Sequence, residues 1–352
     1  MSIFGETKVT KYFFISFANW EIIATFAASN ENADMKRILN MVLCLVLMMP
    51  TLAEHPKVGL VLGGGGAKGA AEVGVLKVLE EAGVHIDYIV GTSIGSIVGG
   101  LYAAGYTAAE LETMFQTQEW LTLLTDRKAS LANEPYTTVD GVTYVFGFPI
   151  RDRQSKGWGV MKGSQIEHLL DSMLTAKGCT DFDSLKIPFC CVAADIRSGS
   201  EVILRQGVLA QAMRASMAIP GVFKPVDRGD YKLVDGGMLN NLPVDVCREM
   251  GADFIIAVDL QQNEQKPRQQ SDLTALTAIA DLVGLGGILN WILNRPDIEK
   301  YNANRQQADI LIHPYLPEYD VTSFGNKIAA RMIQSGADAT RQLLPQLRAL
   351  GN

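Results

Sequence analysis

Positive charge is in short supply in this chain. Lys and Arg total 31 against 38 Asp and Glu, a net charge of −7 over 352 residues. Such a balance leaves no basic footprint for nucleic acid and argues against electrostatic capture by anionic lipid headgroups. Cysteine is also scarce, at five residues, and no C-x-x-C or other metal-ligand spacing occurs. Cys190 and Cys191 are adjacent in an expected strand, so their side chains should point to opposite faces. Together with Cys179 and Cys247 they read as buried, inert thiols rather than as a disulfide or metal set. No internal repeat is visible. Only four histidines are present, which narrows the choice of catalytic base. Hydrophobic residues make up 48% of the chain, enough to bury the core of one large domain.

The apolar run ILNMVLCLVLMM is too short to span a bilayer comfortably. It follows Met35-Lys36-Arg37 and precedes Pro50-Thr51-Leu52-Ala53, the basic start, apolar middle and small-residue exit of an export signal. The expectation is a start at Met35, an upstream extension over 1–34, a signal over 35–53 and a functional domain over 54–352. A buried helix or an N-terminal membrane anchor is the alternative. Cys44, preceded by Leu43, lacks the small neighbour expected at a lipid-attachment site.

The most informative stretch runs from Lys57 to Gly105. A Val- and Leu-rich strand, Lys57 to Leu62, enters the glycine loop Gly63 to Gly66, where bare backbone N–H groups can face a ligand. Val75, Val78, Leu79 and Ala82 then share one helical face, and Gly83 ends that helix. A second strand, Ile86 to Val90, runs into Gly91-Thr92-Ser93-Ile94-Gly95 and a small-residue helix. G-x-S-x-G between strand and helix is the setting of a strained turn that lifts a serine hydroxyl clear of the sheet. The next helix aims its positive N-terminal end at that hydroxyl. Ser93 is therefore the candidate nucleophile, with the glycine loop as candidate oxyanion hole.

Strands alternating with helices continue to the end of the chain and imply a three-layer α/β sandwich with a mainly parallel sheet. Thr107 caps a helix to Gln118, Ser164-x-x-Glu167 reads as a capping box, and Arg151 to Gln154 reads as an exposed turn. Leu273 to Leu293 is an apolar helical stretch open to two readings, an amphipathic lipid contact or a core or subunit-contact helix.

Two residues compete as base for Ser93. His313 ends the last strand, and the order Ser93, Asp235, His313 matches an α/β-hydrolase triad. Asp235 follows a strand and precedes Gly236 and Gly237, so its carboxylate could act alone or merely cap a turn. Gly64-x-Gly66-x-x-Gly69 also fits a dinucleotide fingerprint, but Val90-Gly91-Thr92-Ser93 lacks the acidic residue that should end the second strand. A P-loop fails because Gly69, not Ser or Thr, follows Lys68. Lys68 itself reads either as a phosphate-side contact or as a solvated helix-start lysine.

Taken together, these motifs resemble the bacterial patatin-like phospholipases. The matching residues are the oxyanion motif Gly64-Gly65-Gly66-Ala67-Lys68-Gly69, the nucleophile motif Gly91 to Gly95 and Asp235-Gly236-Gly237. Ser216 to Pro220 with Phe223 and Pro225, Asp195-x-x-x-Gly199 and Asn241-x-Pro243 add to the likeness, which runs from about Val58 to the last helix. Glu72 departs from it, since many relatives carry histidine there, on a helix face read as outside the chemistry. The resemblance implies a Ser93–Asp235 dyad without histidine, oxyanion donors from Gly64, Gly65 and Gly66, and supporting roles for Lys68, Gly69, Gly91, Gly95, Gly236 and Gly237. It implies a lipid or fatty acyl ester substrate, contact with a membrane surface, and no metal or organic cofactor. A catalytically weak lipid-binding or regulatory protein on the same scaffold is the non-enzymatic alternative. No oligomeric state follows from the sequence.

Overall fold

The computed structural model describes residues 55–152, 161–261 and 298–351. The expected export signal, Cys44 and the stretch 273–293 lie outside the described residues. The chain divides into two compact units, Met1–His55 and Pro56–Asn352, and the second carries everything that follows.

In chain order the elements are β1 (Val58–Leu62), α1 (Ala70–Glu81), β2 (Tyr88–Thr92), α2 (Ile94–Ala103), α3 (Ala108–Thr117) and α4 (Trp120–Leu124). A hairpin sheet of β3 (Thr137–Val139), β4 (Val142–Val145) and β5 (Phe148–Asp152) follows, then α5 (Ser164–Ala176). Next come β6 (Phe189–Asp195), β7 (Ser200–Leu204), α6 (Leu209–Ser216), β8 (Val226–Arg228), β9 (Tyr231–Asp235), α7 (Val244–Glu249) and β10 (Phe254–Val258). The last elements are α8 (Ile298–Gln307), β11 (Ile310–Ile312), α9 (Asn326–Arg341) and α10 (Leu344–Gly351).

The central sheet has the order β11-β10-β1-β2-β6-β9-β8, with β7 also on β6. The five strands from β11 to β6 pair in parallel. β7, β8 and β9 add an antiparallel end. Side chains alternate across the sheet, and this alternation divides the core in two. Leu60, Leu62, Ile256, Val258 and Cys191 join one apolar cluster with residues of α1, α2, α5, α6 and α9. Val61, Ile255, Ala257 and Cys190 join the other, with Val244 and Val246 of α7 and Tyr301 of α8. The architecture is the expected three-layer α/β sandwich. The four described cysteines are buried free thiols, with Cys190 and Cys191 on opposite faces as their adjacency required.

One detail of register decides where the site forms. β6 carries β2 along residues 189–192, β7 along 191–195 and β9 along 193–195. A strand has two edges, so β9 must follow β2 along the edge that β7 does not occupy. Thr92 lies opposite Val192 and Asp235 opposite Ala193. β2 and β9 therefore run toward each other and end one residue apart.

Two local expectations differ from the structure. Ser164 does not cap α5: the cap position is Gly163, and Asp126 accepts from the backbone N–H groups of Gly163 (2.6 Å) and Gln165 (3.2 Å). A long-range carboxylate thus replaces the local hydroxyl, satisfying the same orphan donors. Arg151 and Asp152 belong to β5 rather than to a turn, because β4 supplies a pairing edge. Thr107, by contrast, forms the expected cap, completed by Glu110 as a capping box.

Glu72 sits in the first turn of α1, fully buried, and both carboxylate oxygens lack a hydrogen-bond partner among the described residues. Burial alone pushes its carboxyl well above the usual range, because an unpaired charge in an apolar core is costly. A folded pKa above the unfolded one means that stability is lost as pH rises. Replacement by a residue of similar shape, Glu72→Met, is expected to raise stability at neutral pH by about 1–3 kcal/mol. The gain should shrink as pH falls toward the ordinary glutamate range; denaturant titrations at pH 4.5 and 8 measure both, and equal stabilities at pH 8 contradict the reading.

Candidate active site

The turn between β2 and α2 is shaped by close approach. A Cβ on Gly95 would lie 2.3 Å from the carbonyl oxygen of Leu62, and one on Gly91 would lie 2.3 Å from that of Gly95. Glycine at both positions lets α2 start directly against the end of β1. Between them Ser93 adopts φ 55°, ψ −121°, backbone that a residue with a side chain rarely accepts. Its N–H donates to Ser216 Oγ (2.9 Å), which donates in turn to the Val192 carbonyl (2.6 Å). Its own carbonyl accepts from Ser96 Oγ at 2.6 Å. Next to it, Thr92 Oγ1 donates to the Asn240 carbonyl at 2.9 Å. The strained turn is thus held on every side.

Ser93 Oγ donates to Asp235 Oδ2 at 2.7 Å, and both residues are buried. The other carboxylate oxygen, Oδ1, accepts the Gly237 N–H at 2.8 Å. Gly236 opens the short turn after β9, packed against the Val192 carbonyl. Burial raises the Asp235 carboxyl from 3.8 to about 6, while the hydrogen bonds from Ser93 and Gly237 pull it the other way. A carboxylate raised in this manner is a stronger base than an ordinary aspartate and is still ionised above neutral pH.

The glycine loop lies against this pair, with Gly64 so close that a Cβ there would be 3.3 Å from Ser93 Cβ. The Gly64 N–H is engaged with the Asn241 carbonyl at 3.1 Å. Those of Gly65 and Gly66 have no partner among the described residues. Of the three expected oxyanion amides, two are therefore free to receive a ligand. Gly69 packs on Ile94 at the start of α2.

Lys68 is not the solvated helix-start lysine that one of its two readings expects. It is buried, and its Nζ donates to the Leu260 carbonyl at 2.7 Å, tying the loop to the end of β10. His313 is not part of the pair either. Its strand β11 is separated from β2 by β10 and β1, a lateral offset of about 14 Å at ~4.8 Å per strand. Its Nδ1 lies 3.6 Å from Asp259 Oδ2, so the three-residue arrangement does not form. No cluster of three potential metal-ligating side chains occurs among the described residues.

Residues 60–248 match the family model described as patatin-like phospholipase, more than half of the chain. The chain belongs to the patatin-like phospholipase family. An uncharacterized NTE family protein of Mycobacterium bovis is 33% identical over 220 residues, 62% of this chain and 53% of that protein. The patatin-like phospholipase domain-containing protein 6 of Homo sapiens is 34% identical over 210 residues, 59% of this chain and 14% of that protein. The match thus spans about half of the mycobacterial relative and a small part of the human one. Among solved structures, VipD from Legionella pneumophila aligns at a TM-score of 0.43 and 16% identity, covering 84% of this chain and 67% of that one. ExoU in the ExoU–SpcU complex of Pseudomonas aeruginosa aligns at 0.42 and 18%, covering 84% and 52%.

In this patatin-like chain residues that hold the Ser93 turn and the glycine loop come from far away in sequence. Ser216 and Asn241 stand in segments that the family likeness marks, but nothing local assigns either one a contact. Gln261, whose Nε2 donates to the Gly64 carbonyl at 3.2 Å, carries no motif at all.

The raised carboxyl has a consequence for stability. Between about pH 4 and 6 the folded chain holds a proton on Asp235 that the unfolded chain has released, so stability falls as pH rises through that window. Asp235→Asn removes the burden of burying the charge and should stabilise the fold above pH 7 by on the order of 3 kcal/mol, at ~1.4 kcal/mol per pKa unit. The difference should fade below about pH 4. Chemical denaturation across pH checks it, and a variant less stable than the parent at pH 8 contradicts it.

Proposed function

We propose that this chain is a serine acyl hydrolase that cleaves fatty acyl esters, with phospholipids as its substrate class. Ser93 is the nucleophile and Asp235 its base. The observation that carries the reading is the 2.7 Å hydrogen bond between Ser93 Oγ and Asp235 Oδ2, buried at a left-handed strand-to-helix turn. Membership of the family supports lipid hydrolysis as the type of reaction.

The reaction follows from the placement of these groups. As Ser93 Oγ attacks the ester carbonyl carbon, its proton passes to Asp235 Oδ2, and the carbonyl π pair moves onto oxygen. That oxyanion is received by the free N–H groups of Gly65 and Gly66, near the positive N-terminal end of α2. Preorganised amides in a buried site stabilise the charge without first turning away from water. Collapse re-forms the carbonyl and breaks the ester C–O bond, and the departing alkoxide takes the proton from Asp235. Water then repeats the sequence: Asp235 takes its proton, the hydroxyl adds to the acyl carbon, and Ser93 leaves with the proton restored. The Gly237 N–H on Asp235 Oδ1 keeps Oδ2 turned toward Ser93 throughout. This reading calls for no metal or organic cofactor.

Membrane contact follows from a lipid substrate, and export from the Met35–Ala53 signal; both stand as parts of the proposal. Among the described residues no helix is long and apolar enough to cross a membrane. Expression of the full chain with its leader should give an exported form beginning near Glu54 by intact-mass analysis, and a chain retained at full mass removes that part.

Hydrolysis of p-nitrophenyl esters of short and long chain, and of a phosphatidylcholine, is the test. Ser93→Ala and Asp235→Asn should each lower kcat by about 10³-fold or more, whereas His313→Ala should stay within about 3-fold of the parent. kcat/KM should rise with pH through about 6, since Asp235 must be ionised to accept the proton. An active His313-dependent enzyme indifferent to Asp235→Asn would refute the dyad. A parent chain inert on every ester would leave lipid binding as the function.

A further inference from the structure

Backbone amides act as oxyanion donors only if their peptide planes are held in one orientation. In a run of four glycines the backbone itself supplies little restraint, so the restraint must come from outside the loop. Two side chains supply it at one atom. The Gly64 carbonyl oxygen accepts from Asn241 Nδ2 at 3.1 Å and from Gln261 Nε2 at 3.2 Å. No cis peptide bond occurs here. In a planar trans peptide the C=O of one residue and the N–H of the next point in opposite directions. Holding the Gly64 carbonyl therefore aims the Gly65 N–H the other way, and that N–H has no partner among the described residues.

Both residues are themselves held in place. Asn241 is only 7% exposed. Its Oδ1 lies where a Cβ on Gly64 would come within 2.3 Å and a Cβ on Gly237 within 2.4 Å. It is wedged between the glycine loop and the turn that follows Asp235, which ties the two halves of the site together. Gln261 is anchored through its backbone: its N–H donates to Asp259 Oδ1 at 2.9 Å. Asp259 is fully buried, receives the Tyr301 hydroxyl at 2.7 Å on both oxygens and forms an ion pair with Arg305 at 2.9 Å.

We propose that Asn241 and Gln261 are positioning residues that orient the Gly65 amide toward the oxyanion by clamping the Gly64 carbonyl, with Asp259 as the anchor of Gln261. This rests on the serine hydrolase reading. Neither side chain needs to touch the substrate. Their effect appears only when charge develops on the carbonyl oxygen, so their loss should lower kcat and leave KM nearly unchanged.

The experiment uses the full chain with Gln261→Met, Asn241→Leu and the double variant, each close in shape to the original and without an amide donor. It measures kcat and KM on a p-nitrophenyl ester, and the Ki of an alkyl trifluoromethyl ketone. Ser93 Oγ adds to the ketone carbonyl, its proton goes to Asp235 and the π pair becomes the oxyanion, so the adduct reports on the hole directly. Each single variant should lose about 10-fold in kcat and the double variant about 10²- to 10³-fold, the cost of losing an oxyanion donor outright. KM should stay within about 3-fold, and the ketone Ki should rise by the same factor as kcat falls.

Gln261 is partly exposed and its variant is the one expected to fold without difficulty; thermal melts identify any variant that does not. Folded Gln261→Met with parental kcat and ketone affinity overturns the proposal. So does a loss of kcat accompanied by an unchanged Ki. A parent chain that neither hydrolyses the ester nor binds the ketone fails the hydrolase reading itself, and the positioning roles fall with it.

Discussion

The site depends on two strands ending against each other on one edge of a third. β2 and β9 reach β6 from opposite directions and stop at Val192 and Ala193. This places the residue after β2 beside the residue that ends β9, a span of 142 positions in sequence closed by a 2.7 Å hydrogen bond. The carboxylate arrives directly at the serine hydroxyl, with no histidine between them. The arrangement also accounts for the antiparallel pairing of β9 with β6, in a sheet whose strands from β11 to β6 are parallel. Only a strand running against β6 can bring its C-terminal end to meet that of β2.

Burial makes this contact chemically useful and energetically expensive at the same time. An aspartate in water is a poor base, and the desolvated Asp235, with its carboxyl raised to about 6, is a better one. Two hydrogen bonds offset part of the cost of burying its charge. Glu72, on the helix that follows the glycine loop, shows the same physics without compensation: it is buried and has no hydrogen-bond partner among the described residues, and its carboxyl is raised by burial alone. The contrast separates a carboxylate held by the site from one that the described residues leave without a hydrogen bond.

Much of the site was legible because its parts are local. Gly91 to Gly95 between a strand and a helix, the glycine run after β1, and Asp235 at a strand end all declare themselves within a few residues. The layer order was legible for a similar reason, since hydrophobic periodicity reports on one element at a time. What failed were inferences that needed a partner from elsewhere. Ser164 looked like a cap, but Asp126 supplies the carboxylate. Lys68 looked solvated, but it is buried and the Leu260 carbonyl accepts from its charge-bearing end. His313 stood in the right order for a triad, and strand order put it beside Asp259 instead.

The sequence by itself determined the alternation of strands and helices, the strained turn at Ser93 and the residue types available around it. These follow from spacing, side-chain chemistry and the steric demands of glycine, all of which act over a turn or two of chain. The tertiary structure alone decided which base reaches Ser93, which loop amides stay free and how far the Asp235 carboxyl is raised. Those properties depend on distances and burial between segments separated by more than a hundred residues. No local pattern encodes a strand register, and here the register of β6 selects aspartate over histidine.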